Sequence, residues 1–110
     1  MEMLKMNVIS DAECERVSDC FGTLSDATRL KIFCLLCHSE LCVMNIAELI
    51  GMSSPAVAHH LRLLKSAGLI LNKRKGREMY YKLSDSAEAG EIHKAMDALL
   101  HVTCAKSQNT

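Results

Sequence analysis

Six cysteines carry most of the available chemistry in this 110-residue chain: Cys14, Cys20, Cys34, Cys37, Cys42 and Cys104. Cys34, Cys37 and His38 fall within about one helical turn of one another. Further on, His93, Asp97, His101 and Cys104 recur at spacings of four, four and three, along one side of a helix. Thiolate and imidazole donors suit soft or borderline metal ions in trigonal or tetrahedral sites. The N-terminus lacks a basic start followed by an apolar stretch and a small-residue cleavage site. The expectation is therefore a cytoplasmic protein whose thiols stay reduced. Clustered cysteines there point to metal binding, redox chemistry or plain burial rather than disulfides. Burial weighs most on Cys34 and Cys37, which share a stripe with Leu30. For His93 and His101 the plain alternative is a solvated helix surface.

Cys34-Leu35-Leu36-Cys37-His38 also has the spacing of a c-type haem attachment site. That chemistry needs export and a second axial ligand, so a haem or redox carrier is the remote alternative. The Cys-x-x-Cys does not follow a strand at a helix start, which removes a thioredoxin-like reading. No nucleophile–base–orienter set and no Gly-rich phosphate loop can be assembled, so catalysis is not expected.

A second group of residues is basic. Residues 54–83 hold Arg62, Lys65, Lys73, Arg74, Lys75, Arg77 and Lys82 against Glu78 alone, a net +6 inside a chain of zero formal charge. Such a patch is the electrostatic footprint of a polyanion, usually nucleic acid. A solvated charged face is the bland reading of the same run.

The elements that must position these residues follow from periodicity and punctuation. With 49% hydrophobic, 24% charged and 4% aromatic residues, the chain reads as one mostly helical domain over 1–110 with an aliphatic core. At this size a core shared across a dimer is expected, and no apolar run approaches the roughly 20 residues of a membrane span. Ser10-Asp11-Ala12-Glu13 opens a first helix with Cys14, Val17 and Phe21 on its apolar side. Ser25 caps a second, with Leu30, Phe33, Cys34 and Cys37 along one side. Asn45-Ile46-Ala47-Glu48 opens a short third helix that Gly51 ends, and Ser54-Pro55 starts a fourth. In the fourth, Val57, Leu61 and Leu64 form the buried stripe. Leu69 to Arg74 and Arg77 to Leu83 then alternate as two strands around Lys75-Gly76. Asp85-Ser86-Ala87-Glu88 opens a last helix with Ile92, Met96, Leu99 and Thr103 at helical spacing.

Two short helices joined by a glycine-containing turn make a helix-turn-helix, here over about 45–67, with a β-hairpin wing over about 69–83. The fold class is mainly α with a β-hairpin: a five-helix winged helix-turn-helix. Ala56, His59, His60, Arg62 and Lys65 lie on sides of the second helix that the apolar stripe leaves free, with Ser53 and Ser54 at its start. Small and hydrogen-bonding residues suit close approach to base edges, while Arg62 and Lys65 suit guanine edges or phosphates. Lys73, Arg74, Lys75 and Arg77 put four cations on the wing.

From Leu24 to Leu83 the chain resembles the ArsR/SmtB family of bacterial metal- and metalloid-responsive repressors. The stretches that carry the resemblance are 24–30 (LSDATRL), 40–43 (ELCV), 53–62 (SSPAVAHHLR), 68–70 (GLI) and 76–81 (GREMYY), in family order and spacing. The resemblance implies a homodimer pairing through the first and last helices, about 11–22 and 86–105. It also implies operator binding without inducer and release when the inducer binds. The family's sensor sites are incomplete here. The Cys-Val-Cys pair of the arsenic and cadmium branches stands as Cys42-Val43-Met44. The last-helix zinc site retains Asp85 and His101 but has Ala87 and Ala98 at its other positions.

Taken together, a repressor is expected whose cysteines receive a soft metal or metalloid ion such as arsenite, cadmium, lead or zinc. Cys42 would centre that site, helped by Cys37 or by Cys14 and Cys20 across the dimer, with Cys104 near His101 as further donors. The alternative resembles another family branch, in which reactive sulfur species such as sulfide or persulfide link Cys34 to Cys104. A winged-helix module that binds a protein and no DNA is the third reading.

Overall fold

The computed structural model describes residues 8–108, with side chains described for residues 8–100. Among these, five helices and three strands follow in the order α1 (Asp11–Thr23), α2 (Ala27–His38), β1 (Leu41–Cys42), α3 (Val43–Ile50), α4 (Ser54–Ser66), β2 (Ile70–Lys75), β3 (Glu78–Leu83) and α5 (Ala87–Gln108). No helix among the described residues is long and apolar enough to cross a membrane.

The helix starts are fixed by short-range hydrogen bonds. At α1 the Glu13 N–H donates to Ser10 Oγ (3.1 Å) and the Ser10 N–H donates to Glu13 Oε1 (2.8 Å), the reciprocal pair that the spacing predicts. The cap of α2 is Asp26 rather than Ser25: its carboxylate accepts from the Arg29 N–H at 2.9 Å. Ser25 is engaged elsewhere, donating to the Gly22 carbonyl at 2.7 Å to close the turn after α1. Helix α3 begins at Val43, three residues before the expected Ile46, because Asn45 lies at its third position and reaches back to Cys42. At α4 the cap is Ser53, whose Oγ accepts from the Ala56 N–H at 3.3 Å, so Pro55 sits inside the first turn. Gly51 between α3 and α4 has φ 71°, a left-handed conformation that glycine adopts without Cβ strain.

The core is aliphatic with one ring. Ile32, Phe33 and Leu36 of α2, Ile46 of α3, Val57, Leu61 and Leu64 of α4, and Leu69 and Ile70 are all buried. The expected stripe on α4 is therefore the buried one. On α2 the inward face is centred on 32, 33 and 36, so Leu30 is exposed and Cys34 and Cys37 are half-buried at its margin. On α1 only Cys20 of the described side chains is buried. The side carrying Val17 and Phe21, the apolar side of this helix, faces outward. Packing of the subunit decides this: α1 meets α5 across a groove lined by Val17, Cys20, Phe21 and Ile92 instead of inserting into the core.

The sheet has three strands in the order β1-β3-β2, one more than the expected hairpin. Leu41 and Cys42 pair antiparallel with Tyr81 and Tyr80. Two residues are too few to show alternation, so this strand exists through its pairing with β3 alone. At the other end of the hairpin Ser84 Oγ donates to the Gly68 carbonyl at 2.8 Å, and Ser86 Oγ accepts from the Ala89 N–H at 3.1 Å. These bonds join the end of α4 to the start of α5.

Candidate nucleic-acid interface and metal-ligand cluster

Helix α4 buries Val57, Leu61 and Leu64, which turns Ser54, His59, Arg62 and Lys65 to solvent. Ala56 is half-buried. The Ser53 hydroxyl is already used as the helix cap. His60 departs from the expected outward set. It is half-buried, and its Nδ1 accepts from Arg29 Nε at 3.4 Å. Arg29 also donates from a terminal guanidinium nitrogen to the Thr23 carbonyl at 2.8 Å. His60 thus braces α4 against α2, and the neighbouring His59 ring, 5.6 Å away between centroids, is the exposed one.

The wing carries its cations as expected, but not all are equivalent. Lys75 Nζ lies 2.9 Å from Glu40 Oε1 and 5.2 Å from the centre of the Tyr80 ring. The hydrogen bond and charge of Lys75 hold the Glu40 carboxyl below its usual range. Lys73, Arg74 and Arg77 are exposed and make no ion pair among the described residues. With Arg62 and Lys65 they form a cationic outer surface on a rigid helix and a projecting hairpin. Such a surface attracts phosphates and presents side chains to base edges.

The thiols are dispersed. Cys14 is exposed, Cys20 is buried, and Cys34 and Cys37 are half-buried. Cys34 lines a shallow groove with Leu30, Lys31 and Met96. Cys37 is pushed up to about 12 by burial, then by Cys34 and by Asp97, so its thiol stays protonated at neutral pH. Cys42 is buried, and its Sγ donates to the Asn45 side-chain carbonyl at 3.1 Å. Within one subunit, no group of three or more ligand residues among the described ones includes a cysteine. His101 and Cys104 lie on α5, but their side chains fall outside the described residues. At the family's last-helix zinc positions, Ala87 and Ala98 offer no donor atom, so this set does not fit the ion.

What the fold does assemble is His38, His93 and Asp97, whose ligand atoms all lie within 4.8 Å of one another. The imidazoles of His38 and His93 meet edge to face, with centroids 5.2 Å apart and planes at 82°. His93 Nε2 lies 3.2 Å from Asp97 Oδ2. It is nevertheless buried and lacks an aligned hydrogen-bond partner. Spacing had placed His38 with the α2 cysteines and His93 with Asp97. It gave no means of joining the two helices.

Comparison with known proteins agrees with this architecture. A family model described as bacterial regulatory protein, arsR family, matches residues 26–71. The transcriptional repressor SmtB homolog of Synechocystis is 34% identical over 86 residues, covering 78% of this chain and 65% of that protein. The cadmium resistance transcriptional regulatory protein CadC homolog of Staphylococcus aureus is 40% identical over 80 residues, covering 72% of this chain and 66% of that protein. The chain thus spans slightly under two thirds of each of these relatives. The solution structure of a homodimeric winged helix-turn-helix DNA-binding domain from Mycobacterium bovis superposes with a TM-score of 0.69 at 31% identity, covering 94% of both chains. Buried stripe, glycine turn, cationic wing and these matches have one reading: the chain belongs to the ArsR family of bacterial regulatory proteins.

Proposed function

We propose that the protein is a homodimeric transcriptional repressor that holds operator DNA through α4 and the wing and lets go when an inducer ion binds. The observation that carries this is the outward row Ser54, His59, Arg62 and Lys65 on a helix anchored by Val57, Leu61 and Leu64. Lys73, Arg74 and Arg77 flank it on the hairpin. The names of the relatives support repression, and the dimeric Mycobacterium domain supports pairing. Exposed Val17 and Phe21 on α1, beside the groove between α1 and α5, are the apolar surface that a second copy would cover. Cytoplasmic residence follows from that role.

The experiment is affinity for the DNA upstream of the protein's own gene at two salt concentrations. Tight, sequence-dependent binding that weakens steeply with salt is expected. Equal affinity for unrelated DNA would sink the repressor reading, and no binding at all would leave a winged-helix module for protein partners.

For the inducer, the cadmium-resistance name of one relative favours a metal or metalloid ion over reactive sulfur. DNA release by arsenite, cadmium and a persulfide donor, run with the six single Cys→Ser variants, separates the two. Loss of response on both Cys34→Ser and Cys104→Ser, with Cys42→Ser intact, would give the role to a Cys34–Cys104 linkage instead.

A further inference from the structure

We infer that His38, His93 and Asp97 form a binding site for a divalent ion of the zinc(II) class, built within one subunit where the end of α2 meets α5. The site deepens the inducer reading above and depends on that reading only for its effect on DNA.

Geometry carries the assignment. Ligand atoms about 2.0–2.1 Å from a tetrahedral zinc lie roughly 3.3 Å from one another. His93 Nε2 and Asp97 Oδ2 are already 3.2 Å apart, the length of one edge of such a tetrahedron. No hydrogen bond joins the two groups, and Nε2 is buried without a hydrogen-bond partner. A buried imidazole nitrogen beside a carboxylate, yet unsatisfied by it, suits a third body that both can face. His38 approaches from α2 to complete three donors within 4.8 Å. On α5 the ligands stand four residues apart, so one turn of helix presents both from the same side.

The donor set also selects the ion. Two imidazoles and one carboxylate are borderline-to-hard ligands, which favour zinc(II), cobalt(II) or nickel(II) over thiophilic arsenite. One carboxylate leaves a bound divalent ion with a net charge of +1. His38 and Asp97 are exposed, so water can fill the remaining position. The site shares no ligand with the Asp85-based positions discussed above, and both its arms come from the same chain.

Its place in the fold gives it leverage. His38 is the last residue of α2, and Cys42, which precedes α3, lies four residues further on. Between them Glu40 pairs with Lys75 of the wing. An ion that fixes the end of α2 against α5 therefore acts on the segment that leads into the helix-turn-helix and touches the wing.

The test uses the full chain, reduced, with zinc(II) titrated against a chromophoric chelator and cobalt(II) followed by its visible absorption. One ion per subunit is expected, with no thiolate-to-cobalt charge-transfer band. His38→Ala, His93→Ala and Asp97→Asn should each weaken binding by about tenfold or more, while Cys42→Ser and Asp85→Asn leave it unchanged. Helical circular dichroism of His38→Ala and Asp97→Asn should match the parent, since His38 and Asp97 are exposed. Absence of stoichiometric binding, a strong thiolate band, or loss of binding with Cys42→Ser in place of the triad variants would overturn the site. A parallel arm measures zinc-dependent release of DNA by the parent and by Asp97→Asn. Release lost in the variant supports the regulatory consequence. Zinc bound at the triad with DNA affinity unchanged overturns that consequence and leaves the site standing. Failure of the zinc-free protein to bind DNA would count against the repressor reading alone.

Discussion

Lys75 Nζ sits 2.9 Å from the Glu40 carboxylate, so the wing is tied to the segment between α2 and β1 by one of its own cations. That tie leaves Lys73, Arg74 and Arg77 as the hairpin charges most available to phosphate. Replacing Lys73 or Arg74 by Ala is expected to weaken binding to all DNA sequences nearly equally and to lower the salt slope by about one each. Lys75→Ala should change the slope less, because it already has an anionic partner. Affinity measured across a salt series checks the order, and an equal slope change for Lys75→Ala would remove the distinction.

Arg62 stands on the exposed side of α4, and the prediction for it is different in kind. Arg62→Ala should cost on the order of 1–3 kcal/mol in binding and loosen base preference if the guanidinium reads a guanine. Competition between operator and single-base variants measures this directly. Wing substitutions that altered preference while Arg62→Ala did not would reverse the assignment of roles.

The contact between Arg29 Nε and His60 Nδ1 at 3.4 Å braces α4 against α2. Arg29→Met keeps the aliphatic stem and removes the guanidinium, including its bond to the Thr23 carbonyl. The expected cost is about 0.5–1.5 kcal/mol of folding stability. Urea denaturation should register that loss, while the rank order of DNA sequences stays the same. A changed rank order would show that His60 takes part in readout.

Acid should unfasten the start of α2. The Arg29 N–H hydrogen bond holds the Asp26 carboxyl below its ordinary 3.8. A carboxylate depressed in the folded state adds stability that is fully present above the unfolded value of 3.8 and is lost as pH falls through the lower folded value. Asp26→Asn should therefore flatten the stability profile below about pH 4 while leaving the neutral-pH fold intact. Thermal melts at several acidic pH values provide the comparison, and parallel profiles for parent and variant would count against the cap's contribution.

Much of the helix-turn-helix half of the molecule is legible from residue order because its signals are local. Val57, Leu61 and Leu64 repeat at helical spacing and are buried, and Gly51 sits where the chain turns with positive φ. The start of α3 was harder to read because Asn45 resembles a cap, yet it serves as the third helical residue bonded back to Cys42. Strand β1 has no local signature at all, since β3 supplies its hydrogen-bonding partners. The apolar side of α1 is legible by periodicity, which says nothing of whether its cover belongs to the same subunit. The ligand cluster shows the same limit. Each helix announced its own donors, Cys34, Cys37 and His38 on one, His93 and Asp97 on the other. Only the packing of α2 on α5 selects His38 to meet His93 and leaves the thiols aside.

The apolar side chains carried on the outside of α1 tie this protein's durability to its abundance. Val17 is 43% exposed and Phe21 67% exposed in the single subunit, an outlay of apolar surface that water opposes. When folding and association are linked, mass action sets the midpoint of unfolding, and it rises with the number of copies present. A cell holding few molecules would then hold them less firmly folded, and more open to proteolysis, than a cell holding many. Under the repressor reading proposed above, such a dependence would couple protein lifetime to operator occupancy before any inducer arrives.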